Sequence, residues 1–442
     1  MATFRFHGPR LVAFATLATA GSFARAPAMQ FDTTERISVD SAGNQNTSHA
    51  RGTRISADGS RVAYWARQGS LVPDDGNNAD DVFVSDRRTG VTRRVSISSS
   101  GVAGNGASAP TSLSADGRYI VFDSSASNLV PGDTNAQTDV FLHDVNTGTT
   151  TRVSTTSSGV EGNGFSVLGS ISADGRFVAF ETNSTNFLGD GLPGGTVVVD
   201  RQTGAMTRAS VSTGGAWGYG ARPAISGDGR FVAFDSGSTS LVDGDTNAQI
   251  DVFVHDRQTG ITRRVSVSST GEQLLTSCFT PSISFDGQRV AFHTNSSFVP
   301  NQPYGVVMHD METGATTQVS VTTGGTAVLG ALPVISSDGT FIAFESSNAN
   351  IDPADSGSVI DIFLYEVATG AVRRVDASSF GVPAWSHCHE AALSGDGRAV
   401  AFWSGATNLV TADTNGADDV FVHETVDASI ASFCFGDGQR AP

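Results

Sequence analysis

The stretch Ser226-Gly-Asp-Gly-Arg-Phe-Val-Ala-Phe234 decides the fold, because the chain writes it seven times. The other copies are Ser56-Ala-Asp-Gly-Ser-Arg-Val-Ala-Tyr64, Ser114-Ala-Asp-Gly-Arg-Tyr-Ile-Val-Phe122 and Ser172-Ala-Asp-Gly-Arg-Phe-Val-Ala-Phe180. Then follow Ser284-Phe-Asp-Gly-Gln-Arg-Val-Ala-Phe292, Ser336-Ser-Asp-Gly-Thr-Phe-Ile-Ala-Phe344 and Ser394-Gly-Asp-Gly-Arg-Ala-Val-Ala-Phe402. From one Asp-Gly aspartate to the next the spacing is 52 to 58 residues. A fixed period of this length marks a repeat architecture. Asp-Gly is two-residue hairpin chemistry, since Gly takes positive φ freely and Asp tolerates it. The flanks run apolar over strand length, so each copy predicts two antiparallel strands.

Outward from that hairpin, a unit reads as four strands. Strand A is typified by Pro281-Ser-Ile-Ser284, B by Arg289-Val-Ala-Phe292, C by Asp251-Val-Phe-Val-His255 and D by Arg263-Arg-Val-Ser-Val-Ser268. The C–D turn recurs as Asp86-Arg-Arg-Thr-Gly90 and Asp256-Arg-Gln-Thr-Gly260, where Asp caps and Gly closes. Four strands repeated radially make a β-propeller. After the seventh strand C, Asp419-Val-Phe-Val-His423, no Arg-Val-Ser strand follows, yet one precedes the first unit at Glu35-Arg-Ile-Ser-Val-Asp40. The expectation is an all-β, seven-bladed propeller closed by Arg36–Val39 paired with Asp419–His423.

The Ser-x-Asp-Gly mark followed by an apolar strand ending in Ala-Phe or Ala-Tyr resembles the WD-like propeller repeat of the TolB type. The resemblance covers residues 36 to 423 and implies the propeller fold. Two departures stand out. The Pro usual between Ser and Asp is replaced by Ala, Gly, Ser or Phe, and no counterpart of TolB's α/β domain is present.

Composition narrows the function. All 27 basic residues are Arg, and the net charge is -17. Nucleic-acid binders need a basic footprint, so that class is excluded. Arg5 and Arg10, the apolar run Leu11 to Ala20 and then small residues read as a secretory signal peptide over residues 1–28. That run is too short to span a membrane, and no other segment would. The expected layout is propeller over 29–427 and tail over 428–442, in an exported monomer: periplasmic, extracellular or at the cell surface. The tail's Phe433-Cys-Phe-Gly-Asp-Gly438 resembles the start of cysteine-containing C-terminal segments on secreted bacterial surface proteins. Cys278, Cys388 and Cys434 are too few for a disulfide scaffold.

In a propeller the A–B and C–D hairpins share one face, and the B–C and D–A loops share the other. The regular turns fall on the first, so variable chemistry belongs on the second. Its B–C loops carry Asp-x-Asn-x-x-x-Asp: Asp75, Asn77, Asp81; Asp133, Asn135, Asp139; Asp245, Asn247, Asp251; and Asp413, Asn415, Asp419. Asp355 with Asp361 is a weaker fifth copy, and the loops around Gly194 and Pro303 have lost the motif. Such oxygens suit a hard cation, making calcium the one cofactor suggested. They equally suit an Asx-turn that caps backbone groups.

The D–A loops surround the channel mouth. There the candidate binding residues are His49, Phe165, Tyr219, His387, His389 and Glu390, with Cys388 between the last histidines. Imidazole, thiolate and carboxylate together would bind zinc or supply a general base; solvated or hydrogen-bonded histidines are the plainer reading. His143, His255, His309 and His423 all end strand C, which marks them as structural. No nucleophile elbow, phosphate loop or dinucleotide fingerprint occurs. The leading expectation is a non-catalytic platform for a protein or glycan on the B–C/D–A face. The alternatives are a propeller lyase or hydrolase using the mouth cluster, and a calcium-stabilised structural surface protein.

Overall fold

Each Asp-Gly copy turns a corner by the same wiring. The serine two residues before the aspartate's glycine-bearing turn donates its hydroxyl to that aspartate at 2.5–2.7 Å. The same serine oxygen accepts the N–H that opens the next strand, as from Tyr119 to Ser114 at 2.9 Å. With the turn fixed, the flanking apolar runs pair. The computed structural model describes residues 32–67, 70–73, 76–295, 304–352 and 359–425. The expected signal peptide, the Cys434 tail, Asp75, Asp355 and Pro303 lie outside them.

Seven antiparallel sheets of four strands follow in chain order. Blade 1 has strands A Ala50–Ile55, B Arg61–Arg67, C Asp80–Asp86 and D Val91–Arg94. The A strands of blades 2 to 6 are Ser108–Leu113, Ser166–Ile171, Ala221–Ile225, Cys278–Ile283 and Ala331–Ile335. Blade 7 has A Cys388–Leu393, B Ala399–Ser404 and C Asp419–Glu424. The A strands touch one another from blade to blade, the first meeting the last, and so form the inner wall of a closed ring.

The N-terminal strand completes blade 7, three residues earlier than expected. Thr33–Arg36 pairs with blade 7 C, from Thr33 opposite Glu424 to Arg36 opposite Phe421. The offset has a cause repeated in every blade. The Arg-Val-Ser tract stands at the end of strand D and beyond it, where Val95 N–H still reaches the Val82 carbonyl at 2.7 Å. In blades 1, 2, 4 and 7 its serine then turns inward to the aspartate at the start of strand C, as Ser96 to Asp81 at 2.6 Å and Ser38 to Asp419 at 2.5 Å.

The core lies in the seams between blades. In five of the seven blades strands B and C each bury one aromatic ring, and the rings pair within the blade at centroid distances of 5.7–6.2 Å, as in Phe122 with Phe141. Burying such a ring contributes about 2 kcal/mol. Phe122 packs across the seam onto Val82, Val84 and Val95 of blade 1.

A second closure runs around the axis at the A–B end. The residue between Ser and Asp donates its N–H to its counterpart's carbonyl in the next blade: Ala57 to Ala115, Ala115 to Ala173, Ala173 to Gly227, Gly227 to Phe285 and Phe285 to Ser337. Asp338 N–H to Gly395 and Gly395 N–H to Ala57 complete seven links of 2.7–3.1 Å. Proline has no N–H to give, so its replacement at this position is what permits the ring. Gly227 must also lack a side chain, since a Cβ there would lie 2.0 Å from the Phe285 ring.

Candidate functional site

The acidic B–C loops fold as the Asx-turn reading requires. Asn135 Oδ1 accepts the Gln137 N–H at 2.8 Å, while its amide donates to Asp139 and to the Gly162 carbonyl, both at 3.0 Å. Asn415 and Asn247 repeat the turn. The carboxylates converge on an arginine from strand D. Arg152 Nη1 lies 3.2 Å from Asp133, 3.4 Å from Asp139 and 3.0 Å from Glu161. Arg264 stands 3.6 Å from both Asp245 and Asp251, and Arg36 stands 3.4 Å from Asp413 and 3.5 Å from Asp419. Arg94 takes the same position beside Asp81, and Asn77 donates to that carboxylate at 2.9 Å. In blade 6 Arg374 bonds both Asp361 and Asp376.

The two repeats that lack the acids differ: blade 3 keeps its strand-D arginine, Arg208, which pairs with Asp190 at 2.7 Å, and blade 5 does not. Gly195 and Gly305 replace the buried aspartate, and a Cβ at Gly195 would lie 2.6 Å from Ser210 Oγ. In blade 5 the arginine has become Gln318, which donates to backbone carbonyls at Tyr304 and Val306. In these loops the guanidinium supplies the positive charge beside the carboxylates. Among the described residues no three His, Cys, Asp or Glu side chains are grouped to hold a metal ion.

At the mouth, the two equivalent histidines do backbone work. His49 Nδ1 accepts the Asp418 N–H at 3.0 Å, and His387 Nδ1 accepts the Ile360 N–H at 2.9 Å. They serve different loops rather than one shared site. Tyr219 donates its hydroxyl to Glu181 at 3.0 Å. Phe165 contributes its carbonyl, which accepts from Thr182 at 2.7 Å. Cys278 and Cys388 each open a strand A, are buried as free thiols and are not bridged; burial raises both thiols well above their ordinary value. The strand-C histidines bond threonine hydroxyls, as His143 to Thr150 at 2.9 Å and His423 to Thr34 at 2.8 Å.

What does gather is His389. Its Nδ1 lies 3.2 Å from Glu345 Oε2 in the neighbouring blade, and its ring lies against Trp403 at 4.6 Å and His387 at 5.9 Å. Arg51 lies over the Trp403 ring at 4.8 Å and bonds Asp418 at 2.6 Å. The exposed Glu390 holds positive φ at 52° and gives its N–H to Glu345 Oε1 at 2.6 Å.

Glu345, Trp403 and their equivalents form the set that the repeat reading passed over. One residue beyond the strand-B aromatic stand Trp65, Asp123, Glu181, Asp235, His293, Glu345 and Trp403. The four acids among them face the bulge in the next blade's strand A, while His293 bonds Thr280 of its own blade at 2.7 Å. Asp123 accepts the Leu168 N–H at 2.8 Å, Glu181 the Arg222 N–H at 3.2 Å and Asp235 the Thr280 N–H at 3.1 Å. The bulged residues Leu168, Arg222, Thr280, Leu332 and Glu390 hold φ of 48° to 57°, so the acids anchor strained backbone. Trp65 instead lies over the bulge of its own strand A, where a Cβ at Gly52 would fall 2.4 Å from its ring. Burial lifts Asp123 to about 7 and pushes Asp235 and Glu345 up. The signal was in the sequence: directly after the core aromatic stands an acid in four copies, Trp in two and His in one.

Between blades 5 and 6 this set borders a cavity of about 360 Å³. Thr294, Glu345 and Ser346 are its buried members, Phe279 and His293 its half-buried wall, and the exposed Leu329 its rim. The cavity lies within the roughly 300–1,000 Å³ of small-ligand sites.

Fold and repeat together define a seven-bladed β-propeller. No protein-family profile matches the chain, and no curated protein sequence matches it. Among solved structures, an oligogalacturonate lyase from Vibrio parahaemolyticus superposes at a TM-score of 0.54 with 12% identity, covering 90% of this chain and 98% of that one. TolB from Acinetobacter baumannii gives 0.39 with 13% identity, over 84% of this chain and 64% of that one. The propeller domain of the Trilobed protease from Pyrococcus furiosus gives 0.49 with 10% identity, over 89% and 95%. These likenesses concern the fold alone. Among the described residues no helix is long and apolar enough to cross a membrane.

Proposed function

We propose that this chain is an exported, non-catalytic propeller that binds a protein or glycan through its B–C/D–A face. One observation carries the reading. Seven blades keep the same serine, aspartate and aromatic at their structural positions, yet at the mouth the equivalent residues are His49, Ala107, Phe165, Tyr219, Ser277, Leu329 and His387. Divergence confined to one end of a repeat fold is what a recognition surface requires and a scaffold does not. The same face exposes Trp385, at 73%, and Leu329. Most of the titratable groups singled out there are already bonded to backbone or to each other, which favours recognition over proton transfer.

The test compares faces. Trp385→Ala alters the mouth side and Phe285→Ala the opposite end, both at exposed positions. Against a panel of purified glycans and exported proteins, binding by the full chain should fall in the first variant and persist in the second. Loss only with Phe285→Ala would overturn the proposal. A second reading, an enzyme, draws on the Glu345–His389 pair, since a buried carboxylate orienting an imidazole is a general-base arrangement. Turnover of any polysaccharide or peptide that stops in His389→Ala would replace the first reading.

A further inference from the structure

The cavity between blades 5 and 6 is apolar at its lip and acidic within. Phe279, Leu329, Ala331 and Ile360 supply its carbon surface, and Leu329 stands 48% exposed at the rim. Glu345 is only 6% exposed. The carboxylates around the mouth differ in what answers them. Asp235 is held by Arg222 at 2.7 Å, and the Arg54 guanidinium acts on Asp123 and Glu390. Among the described residues no arginine bonds Glu345: one oxygen takes the Glu390 N–H at 2.6 Å, and the other meets His389 at 3.2 Å. Carboxylate oxygens carry further lone pairs, so both can accept again from a ligand. Glu390 is exposed close by, and the chain as a whole carries -17. An anionic ligand is repelled here, and a cation is drawn in.

We infer that this cavity receives a basic side chain from a protein partner, with its aliphatic stem against Phe279 and Leu329 and its cation facing Glu345. Lysine and arginine suit such a shape because their stems prefer carbon surface while their heads need a counter-charge. The ordinary Glu345 carboxyl is raised by burial, as befits a charge that a bound cation would relieve. The inference rests on the platform reading and narrows it to the protein alternative.

The probes are short Gly-Ser peptides carrying one Arg, one Lys, or one norleucine as the uncharged control. Titrated into the full chain by calorimetry, the Arg and Lys peptides should bind, weaken as salt rises, and exceed the norleucine peptide at least about tenfold. Glu345→Gln keeps an oxygen for the Glu390 N–H and should remove most of that difference while the chain still melts in one cooperative transition. Leu329→Trp fills the lip from an exposed position, so it should block binding with the fold intact. Equal binding of the norleucine peptide, or binding indifferent to both variants, would overturn the inference. Should only glycans bind, and be lost in Trp385→Ala, this inference fails while the platform reading stands; loss confined to Phe285→Ala removes both.

Discussion

Gly395 gives its backbone N–H to the carbonyl of Ala57 at 2.7 Å, and with that bond the seventh blade is tied to the first on the inner side of the ring. The outer side is tied separately, by Thr33–Arg36 on blade 7 C. Two closures at different radii, one of turns and one of strands, hold the same seam.

The inner ring predicts a proline effect. Ala115→Pro removes the donor to the Ala173 carbonyl and leaves that acceptor unpaired. The expected loss is about 1 kcal/mol in urea denaturation, since proline's gain in the unfolded state offsets part of the bond. Amide exchange gives a direct check. The N–H groups of Ala57, Ala115 and Gly395 should exchange far more slowly than those of the C–D turns, despite lying in turns themselves. Equal rates would show that the ring does not persist in solution.

The arginine in the acidic loops predicts how the protein answers calcium. With Arg152 between Asp133, Asp139 and Glu161, the melting midpoint should be the same in calcium and in chelator. Arg152→Met leaves buried carboxylates without their cation and should cost about 3 kcal/mol. In that variant calcium should recover part of the loss. A calcium-dependent midpoint in the unaltered chain would mean that the guanidinium does not hold the position.

Asp123 sets a pH dependence of a definite sign. Burial raises its carboxyl from an ordinary 3.8 to about 7, against two backbone N–H groups and Arg54. The folded chain therefore keeps a proton that the unfolded chain has lost. The stability from this group is full below pH 3.8 and is lost as pH rises to about 7. Asp123→Asn retains an oxygen for the Leu168 N–H and abolishes the ionisation. It should be more stable than the parent by on the order of 2 kcal/mol at about pH 8, and no more stable at about pH 4. A difference that does not vary with pH in urea titrations would refute this.

How much of this was readable beforehand depends on the distance between partners. The hairpins, the blade count and the closing strand follow from turn chemistry and from a missing fourth strand, both local in the chain. The register of closure missed by three residues because Ile37-Ser38 looks like strand, whereas it is the lock that follows one. The residues after the strand-B aromatic stayed hidden because their partners lie in the next blade, as Asp123 and Leu168 do, 45 positions apart. The arginine between the loop acids was closer to view. It becomes Gln318 in the blade that carries Gly305, but Arg208 is kept in the blade that carries Gly195, where it turns to Asp190 instead. The histidines misled for a different reason: His49 and His387 serve as backbone acceptors, a role that serine fills at Ser277.

The outer closure yields the last prediction. Thr33 to Arg36 forms the whole of the ladder on blade 7 C, and the lock beyond it adds Ile37 N–H to Val420 at 2.7 Å and Ser38 to Asp419 at 2.5 Å. Thr34 also bonds Ser379 at 2.8 Å, so the strand is gripped from the blade 6 side as well. Deleting residues 29 to 40 would strip these bonds and leave Asp419–Glu424 as an open edge carrying Val420, Phe421 and Val422. Such an edge templates pairing with another chain. The truncated protein should aggregate on gentle heating and melt well below the full chain, while removal of residues 430 to 442 should leave the midpoint unchanged. The inner ring would still join Gly395 to Ala57, so the blades should unfold together rather than peel away singly. A single, unshifted transition by calorimetry, with no aggregation by light scattering, would show that the N-terminal strand is dispensable.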